Sequence, residues 1–207
     1  MSGEAAAEGT VTLLDWRRQV FELYADVRRA ADPESGWIRW RAKRDELFAR
    51  HPQSPIPESD RAGWDGLGFF DYDASRRVLA SLEPAAPDHY EIGTSGEETM
   101  GFTRCAQVRF ELDGRALSLE AYWLDGYGGG LFLPFRDLTS GDQTYGAGRY
   151  LLDTVKGADL GMDGERLVAD FNFAYNPSCS YDPRWVCPLA PPPNRLDVAV
   201  EAGERTP

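Results

Sequence analysis

Apolar residues in the first fifty positions recur at helical steps, and beyond residue 68 the spacing shortens to alternation. Leu13, Trp16, Val20, Tyr24, Val27 and Ala31 fall three or four apart, which predicts a helix beginning near Thr12. There Thr12-Leu13-Leu14-Asp15 has the form of a capping box. Asp32-Pro33 closes this helix and opens a second, with Asp as cap and Pro at the first helical position. The second helix is expected over residues 33–50, with Trp37, Trp40, Leu47 and Phe48 buried. His51-Pro52 stops it, and Pro55, Pro57 and Gly63 mark an extended linker to Gly68.

The alternation is cleanest from Gln107 to Trp123. Val108, Phe110 and Leu112 alternate with polar neighbours, Asp113-Gly114 makes a two-residue hairpin turn, and Leu117, Leu119, Ala121 and Trp123 alternate after it. A two-residue loop fixes the register, so Phe110 faces Leu117, Val108 faces Leu119 and Ala106 faces Ala121. Arg109/Ser118 and Gln107/Glu120 then meet on the other face. Further strands are expected over residues 68–72, 77–82, 90–94, 131–135, 144–153, 166–173 and 197–200. Short strands joined by Gly- and Asp-containing connections favour an antiparallel sheet, and this many tend to curl. Both helices precede the strands, so neither is a crossover. The expected fold is mainly β, an antiparallel curled sheet or barrel-like core with two N-terminal helices.

Residues 170–196 form a third kind of segment, with clustered aromatics, two Asn-led turns, Cys179, Cys187 and the run Pro191-Pro192-Pro193. Proline excludes a helix here, and so many aromatics suit an ordered strap over an apolar surface. This segment resembles the C-terminal signature of the DUF1684 family, a bacterial and archaeal family of unknown function. Residues 132–141 with 144–150 resemble its central signature, and residues 40–48 with 51–55 its N-terminal one. The resemblance runs from about Trp40 to Gly203 and implies no activity. It places Ser178 where the family has an aromatic after Asn-Pro, which implies a changed pocket wall.

The chain has 207 residues, long enough for one domain with a sizeable core. Residues 1–10, small and acidic, are expected to be a disordered tail. Residues 11–203 then form a single domain, with a helical part over 11–51 and the β core with strap over 67–203, and residues 204–207 are a second tail. With 34 acidic against 22 basic residues the net charge is −12. That charge repels phosphate backbones and anionic membrane surfaces, so neither a nucleic acid nor a membrane is expected as a partner. No basic residue precedes Arg17 and no signal-length apolar run occurs, so a cytoplasmic location is expected. Three cysteines do not suggest a disulfide framework. Cys105 reads as a small buried hydrophobe, and Cys179 and Cys187 read as packed thiols. Zinc would need two further ligands, and the chain has only His51 and His89 as histidines, so no metal and no cofactor are expected.

No phosphate loop, dinucleotide fingerprint, His-Glu-x-x-His or Gly-x-Ser-x-Gly is present. Gly128-Gly129-Gly130 precedes a strand rather than a helix and reads as a flexible connection. His51 reads as a helix-end residue. What remains is a polar constellation of Arg136, Asp137, Tyr145, Arg149, Asp170, Asn172, Tyr175, Asn176, Tyr181 and Arg184. Gly146 and Gly148, two apart, would leave a bare strip that a ligand or another backbone segment can approach. The constellation has two readings. It is an internal set of charge-paired supports for the strap, or it lines a pocket for a small polar or anionic ligand. In the second reading Arg136, Asp137, Tyr145, Arg149, Asn172, Tyr175, Asn176 and Arg184 bind, and a ligand-binding β domain is the leading expectation. The alternatives are a hydrolase-like enzyme using Asp137, Asp170 or Tyr145 as acid or base, and a structural or interaction module. The ligand, any reaction and the oligomeric state are not encoded in any motif.

Overall fold

The computed structural model describes residues 3–207. Helix α1 spans Gly3–Arg28 and α2 spans Pro33–Arg50. The first helix thus begins well before Thr12 and takes in most of the expected tail, while residues 1 and 2 lie outside the described residues. Thr12 is therefore not a cap, and its hydroxyl donates to Gly9 O one turn back. The junction to α2 follows expectation. The Asp32 carboxylate accepts from Ser35 N at 2.9 Å and from Ser35 Oγ at 2.7 Å, and Pro33 occupies the first turn. Trp37, Trp40, Leu47 and Phe48 are all buried.

Seven strands follow: β1 Arg77–Gly93, β2 Thr99–Leu112, β3 Arg115–Leu124, β4 Leu131–Phe135, β5 Arg149–Asp153, β6 Met162–Asp163 and β7 Arg166–Asp170. They form one antiparallel sheet in the order β5-β4-β3-β2-β1-β7-β6, which is curled but not closed into a barrel. The hairpin β2–β3 has the expected register at Phe110/Leu117, Val108/Leu119 and Ala106/Ala121. Its turn has Asp113 at φ 53° and Gly114 at φ 70°, as a type I′ loop demands.

Other strand expectations change. Residues 77–82 and 90–93 belong to the single long strand β1, which stays paired with β2 through an irregularity between Pro84 and Asp88, and Thr94 makes a bridge to Pro188. Residues 68–72 contribute one bridge, Phe69 with Glu204. Thr144 makes a bridge with Ser140 and a turn follows it, so β5 starts only at Arg149. Phe171–Phe173 is a single 3₁₀ turn, and residues 197–200 pair with no strand. In the cases outside β1 the backbone bonds are made to side chains or irregular segments, which alternation does not reveal.

A bulge at Cys105 divides the sheet into two surfaces. Arg104 pairs with Tyr122 but Ala106 pairs with Ala121, so the even-numbered residues of β2 change face there. Before the bulge Phe102 joins Tyr122, Phe132 and Tyr150 in an aromatic cluster that packs under Tyr24, Trp37 and Trp40 of the helices. After it Ala106, Val108, Phe110 and Leu112 join an aliphatic core with Leu133, Phe135, Leu167 and Phe171. Phe135 and Phe171 meet edge to face at 5.2 Å although β4 and β7 are distant in the sheet, which measures the curl. The C-terminal residues Leu196, Val198, Val200 and Ala202 fill the same core. The strap crosses from the β7 side to the outer edge of β5, where Tyr150 and Tyr175 exchange both backbone hydrogen bonds, at 2.8 and 3.0 Å. That edge is thereby covered. No helix among the described residues is long and apolar enough to cross a membrane.

Candidate functional site

Apart from Arg136 and Arg184, the polar constellation separates into four places. The first lies in the interior. Arg149, at the start of β5, is fully buried and donates from Nη2 to Asp137 Oδ2 at 2.9 Å and to Val200 O at 3.0 Å. Its Nη1 donates to Ala202 O and, at 3.2 Å, to Glu204 O. Asp137 completes the arrangement by accepting from Thr139 N at 2.7 Å, Thr139 Oγ1 at 2.5 Å and Val200 N at 3.3 Å. Burial lowers the Arg149 pKa, and Asp137 opposes that shift. The guanidinium therefore satisfies the carbonyls of a C-terminal segment that has no strand partner.

The second place pairs Asp170 with Asn172. Asp170 Oδ1 accepts from Asn172 N at 3.0 Å and Nδ2 at 2.8 Å, and Asn172 also bonds the backbone of Asp73 in both directions. Burial raises the Asp170 pKa, with Arg77 no nearer than 3.8 Å. Asp137 and Asp170, the two expected acid–base carboxylates, are thus each held by hydrogen bonds to neighbouring groups. Arg136 and Arg184 stand elsewhere. Arg136 lines a shallow cleft beside Gly93 and Pro191, and Arg184 donates to Ser54 O at 3.0 Å and pairs with Asp182 at 3.2 Å.

The third place is a cavity of about 270 Å³ between α1, α2 and the strap. Its walls are aromatic and apolar, with Trp16, Val20, Tyr24, Tyr150 and Tyr175 prominent. Two exposed basic residues, Arg17 and Lys156, also line it. Lys156 pairs with Asp153 at 3.1 Å and stands 5.6 Å from the Tyr150 ring centre. Burial holds the Tyr24, Tyr150 and Tyr175 phenols well above their ordinary pKa, so they stay protonated. Asn176 and Trp185 both border the cavity, and Asn176 Oδ1 and Trp185 Nε1 are buried without a hydrogen-bond partner. Ser178, the position where the resemblance implies an aromatic, borders it too.

Behind this cavity lies a network that sequence reasoning missed. Glu204, in the stretch read as tail, is fully buried. Its Oε1 accepts from Arg44 Nε at 2.9 Å and from Arg44 Nη2, and its Oε2 accepts from Asn176 N at 2.7 Å and Tyr181 Oη at 3.0 Å. Gly203 makes the approach possible: at φ 79°, a Cβ there would sit 2.5 Å from Ala174 O. The only available signal was Gly203-Glu204 following an apolar run, which is too weak to separate from a tail. Arg44 lay among the polar residues of a weakly amphipathic helix, where charge normally faces water.

The fourth place holds Tyr145, whose hydroxyl lies 3.8 Å from Cys179 Sγ in the strap. Cys187 is buried and borders the cavity. Cys105 is partly buried, its thiol donating to Ala121 O at 3.4 Å. No group of three or more His, Cys, Asp or Glu that could hold a metal ion occurs among the described residues.

The chain is similar to a family model and to solved structures. The family model described as Protein of unknown function (DUF1684) matches residues 62–205, which leaves the N-terminal motifs at 40–48 and 51–55 outside the matched region. The solution NMR structure of the uncharacterized protein from gene locus rrnAC0354 of Haloarcula marismortui is 39% identical, with a TM-score of 0.59. That likeness covers 80% of this chain and 90% of the other. No curated protein matches the chain.

Proposed function

The chain belongs to the DUF1684 family of proteins of unknown function, and we propose that it binds a small amphipathic anion, a carboxylate with an apolar body, between the helices and the strap. The observation that carries this reading is Trp185 Nε1, a buried hydrogen-bond donor without a partner on a residue bordering an apolar cavity. A buried donor left without a partner costs about 1–3 kcal/mol, and a carboxylate oxygen accepting from it would recover that. The aromatic walls take the apolar body, and Arg17 and Lys156 supply the positive charge for the anion. A volume of about 270 Å³ suits a body of roughly eight to ten heavy atoms. Tyr175 and Asn176 belong to both the expected binding set and this wall. Asp137 and Arg149 support the site indirectly, by holding the C-terminal segment that delivers Glu204 to Asn176.

Octanoate and octanol, equal in length but differing in charge, test this by tryptophan fluorescence and thermal shift. Octanoate is expected to bind saturably and octanol much more weakly. Lys156→Met should weaken octanoate about fivefold, the equivalent of ~1 kcal/mol for an exposed ion pair. Ser178→Phe should block the cavity in a protein that stays folded. Absence of saturable octanoate binding, or binding indifferent to both substitutions, would sink the reading.

A further inference from the structure

A second cleft, of about 550 Å³, lies between β1 and the proline run of the strap, and it shares no lining residue with the cavity between the helices and the strap. Tyr90, Ile92, Leu189 and Pro191 give it an apolar wall, and Arg136 and Arg195 bring two positive charges to it. The backbone sets those arginines side by side. Arg136 N–H donates to Asn194 O and Leu196 N–H donates to Arg136 O, both at 2.8 Å, so Arg136 and Arg195 are direct partners in a parallel bridge. Bridge partners lie about 4.8 Å apart and project their side chains to one face. Asn194 and Leu196, on the opposite face, are buried, while Arg195 is exposed and Arg136 half-buried. Room for the Arg136 stem comes from Gly148, where a Cβ would stand 3.1 Å from Arg136 Cγ.

Neither guanidinium has an ion pair or a side-chain hydrogen bond among the described residues, because the acidic neighbours are committed elsewhere. Asp137, next to Arg136 in the chain, pairs with Arg149 at 2.9 Å, and Asp197, two positions after Arg195, pairs with Arg115 at 2.7 Å. Glu120, whose N–H donates to the Asn194 side chain, pairs with Arg104 at 3.0 Å. Glu91, which lines the cleft, accepts from Thr99 Oγ1 at 2.7 Å and meets His89 Nε2 at 2.9 Å. Two like charges thus stand in register without a counter-ion, in a chain of net charge −12. Arg136 Nε is also shielded from solvent with no hydrogen-bond partner, which adds a desolvation cost. A negative group in the cleft offsets both.

We propose that this cleft binds the phosphate monoester of a small, flat molecule, with Arg136 and Arg195 clamping the phosphate. Guanidinium forks match phosphate oxygens in pairs. A monoester carries about −1.5 to −2 charges at neutral pH, which balances two arginines better than the single charge of a carboxylate does. The body lies against Tyr90 and Pro191. Tyr90 is itself held edge to face against Tyr122, with ring centres 5.5 Å apart, so the wall is formed before a ligand arrives. The cleft volume is in the range of small-molecule sites.

The test titrates phenyl phosphate, phenyl sulfate and inorganic phosphate into the full chain at neutral pH by isothermal calorimetry. Phenyl phosphate should bind saturably, about tenfold tighter than phenyl sulfate, which has the same shape and one charge. It should also bind tighter than inorganic phosphate, which lacks the ring. Arg195→Met and Arg136→Met should each weaken phenyl phosphate about tenfold or more, as loss of a charge-assisted hydrogen bond requires. Arg195 is exposed, so its variant keeps the test decisive even where Arg136→Met disturbs folding. Arg109→Met removes the same charge from an exposed pair with Glu83 and should leave binding unchanged. Absence of saturable phenyl phosphate binding overturns the proposal. Binding that survives Arg195→Met undiminished, or phenyl sulfate binding as tightly as phenyl phosphate, overturns it equally.

Discussion

At the scale of single residues, the buried ion pairs carry more consequence than the surface ones. Arg149 and Asp137 are both inaccessible to solvent, and each would leave the other's charge buried and unpaired if removed. Breaking such a pair typically costs ~3–5 kcal/mol. Arg149→Met and Asp137→Asn are therefore expected to lower unfolding stability by about that amount in urea titrations. Arg109→Ala, in an exposed pair with Glu83, should cost less than about 1 kcal/mol. Equal effects would contradict this account. Cys179 adds a pH dependence. Its pKa is lower in the folded chain than the ordinary value of 9.0, so it contributes stability above that value and loses it as pH falls through about 6. The stability advantage of wild type over Cys179→Ser should thus grow between pH 6 and 9, measured by thermal melts under reducing conditions. An advantage that is flat or declining across that window would show that the thiolate is not favoured by folding.

At the scale of elements, glycines of the same backbone sign separate a turn from a close approach. Gly114 has φ 70° and open space where a Cβ would go, so Gly114→Ala pays only the left-handed strain of about 1–2 kcal/mol. Gly148 has φ 101°, and its Cβ would lie 2.6 Å from Phe135 O and 2.9 Å from the Ala190 side chain. Gly148→Ala should therefore cost roughly 3 kcal/mol or more, because strain adds to overpacking. Parallel chemical denaturation of the two variants checks the order, and equal costs would remove the crowding argument. The reading of residues 144–153 as one strand failed over 144–148, yet its expectation of a close backbone approach at Gly148 holds. The bare position serves a tight turn against β4 rather than a ladder.

At the scale of the whole molecule, the C-terminal segment closes the core without belonging to the sheet. Leu196, Val198, Val200 and Ala202 fill the aliphatic cluster, and Glu204 neutralises Arg44 beneath the cavity. A chain ending at Asn194 would expose that cluster and strand two buried arginines. It should show no cooperative thermal transition, whereas removal of only Thr206 and Pro207 should leave one. If the shorter chain melts like the full one, the core is complete without its C-terminus.

The sequence by itself determined the local parts of this protein. The Asp32-Pro33 junction, the four buried residues of α2 and the register of the Asp113-Gly114 hairpin are set by chemistry between near neighbours, so pattern alone gave them. Motif resemblance gave the family, because the strap residues stand together in the chain. The tertiary structure decided where each polar residue of the constellation is used. Arg149 meets carbonyls more than fifty positions away, Arg44 meets Glu204, and Cys179 meets Tyr145. The bulge at Cys105 decides which face of the sheet the helices cover, and no local pattern marks it. An alternating strand reports only that one face is apolar. Which partner satisfies a buried charge depends on how the sheet curls and where the strap lands, and those follow from the packing of all the elements together.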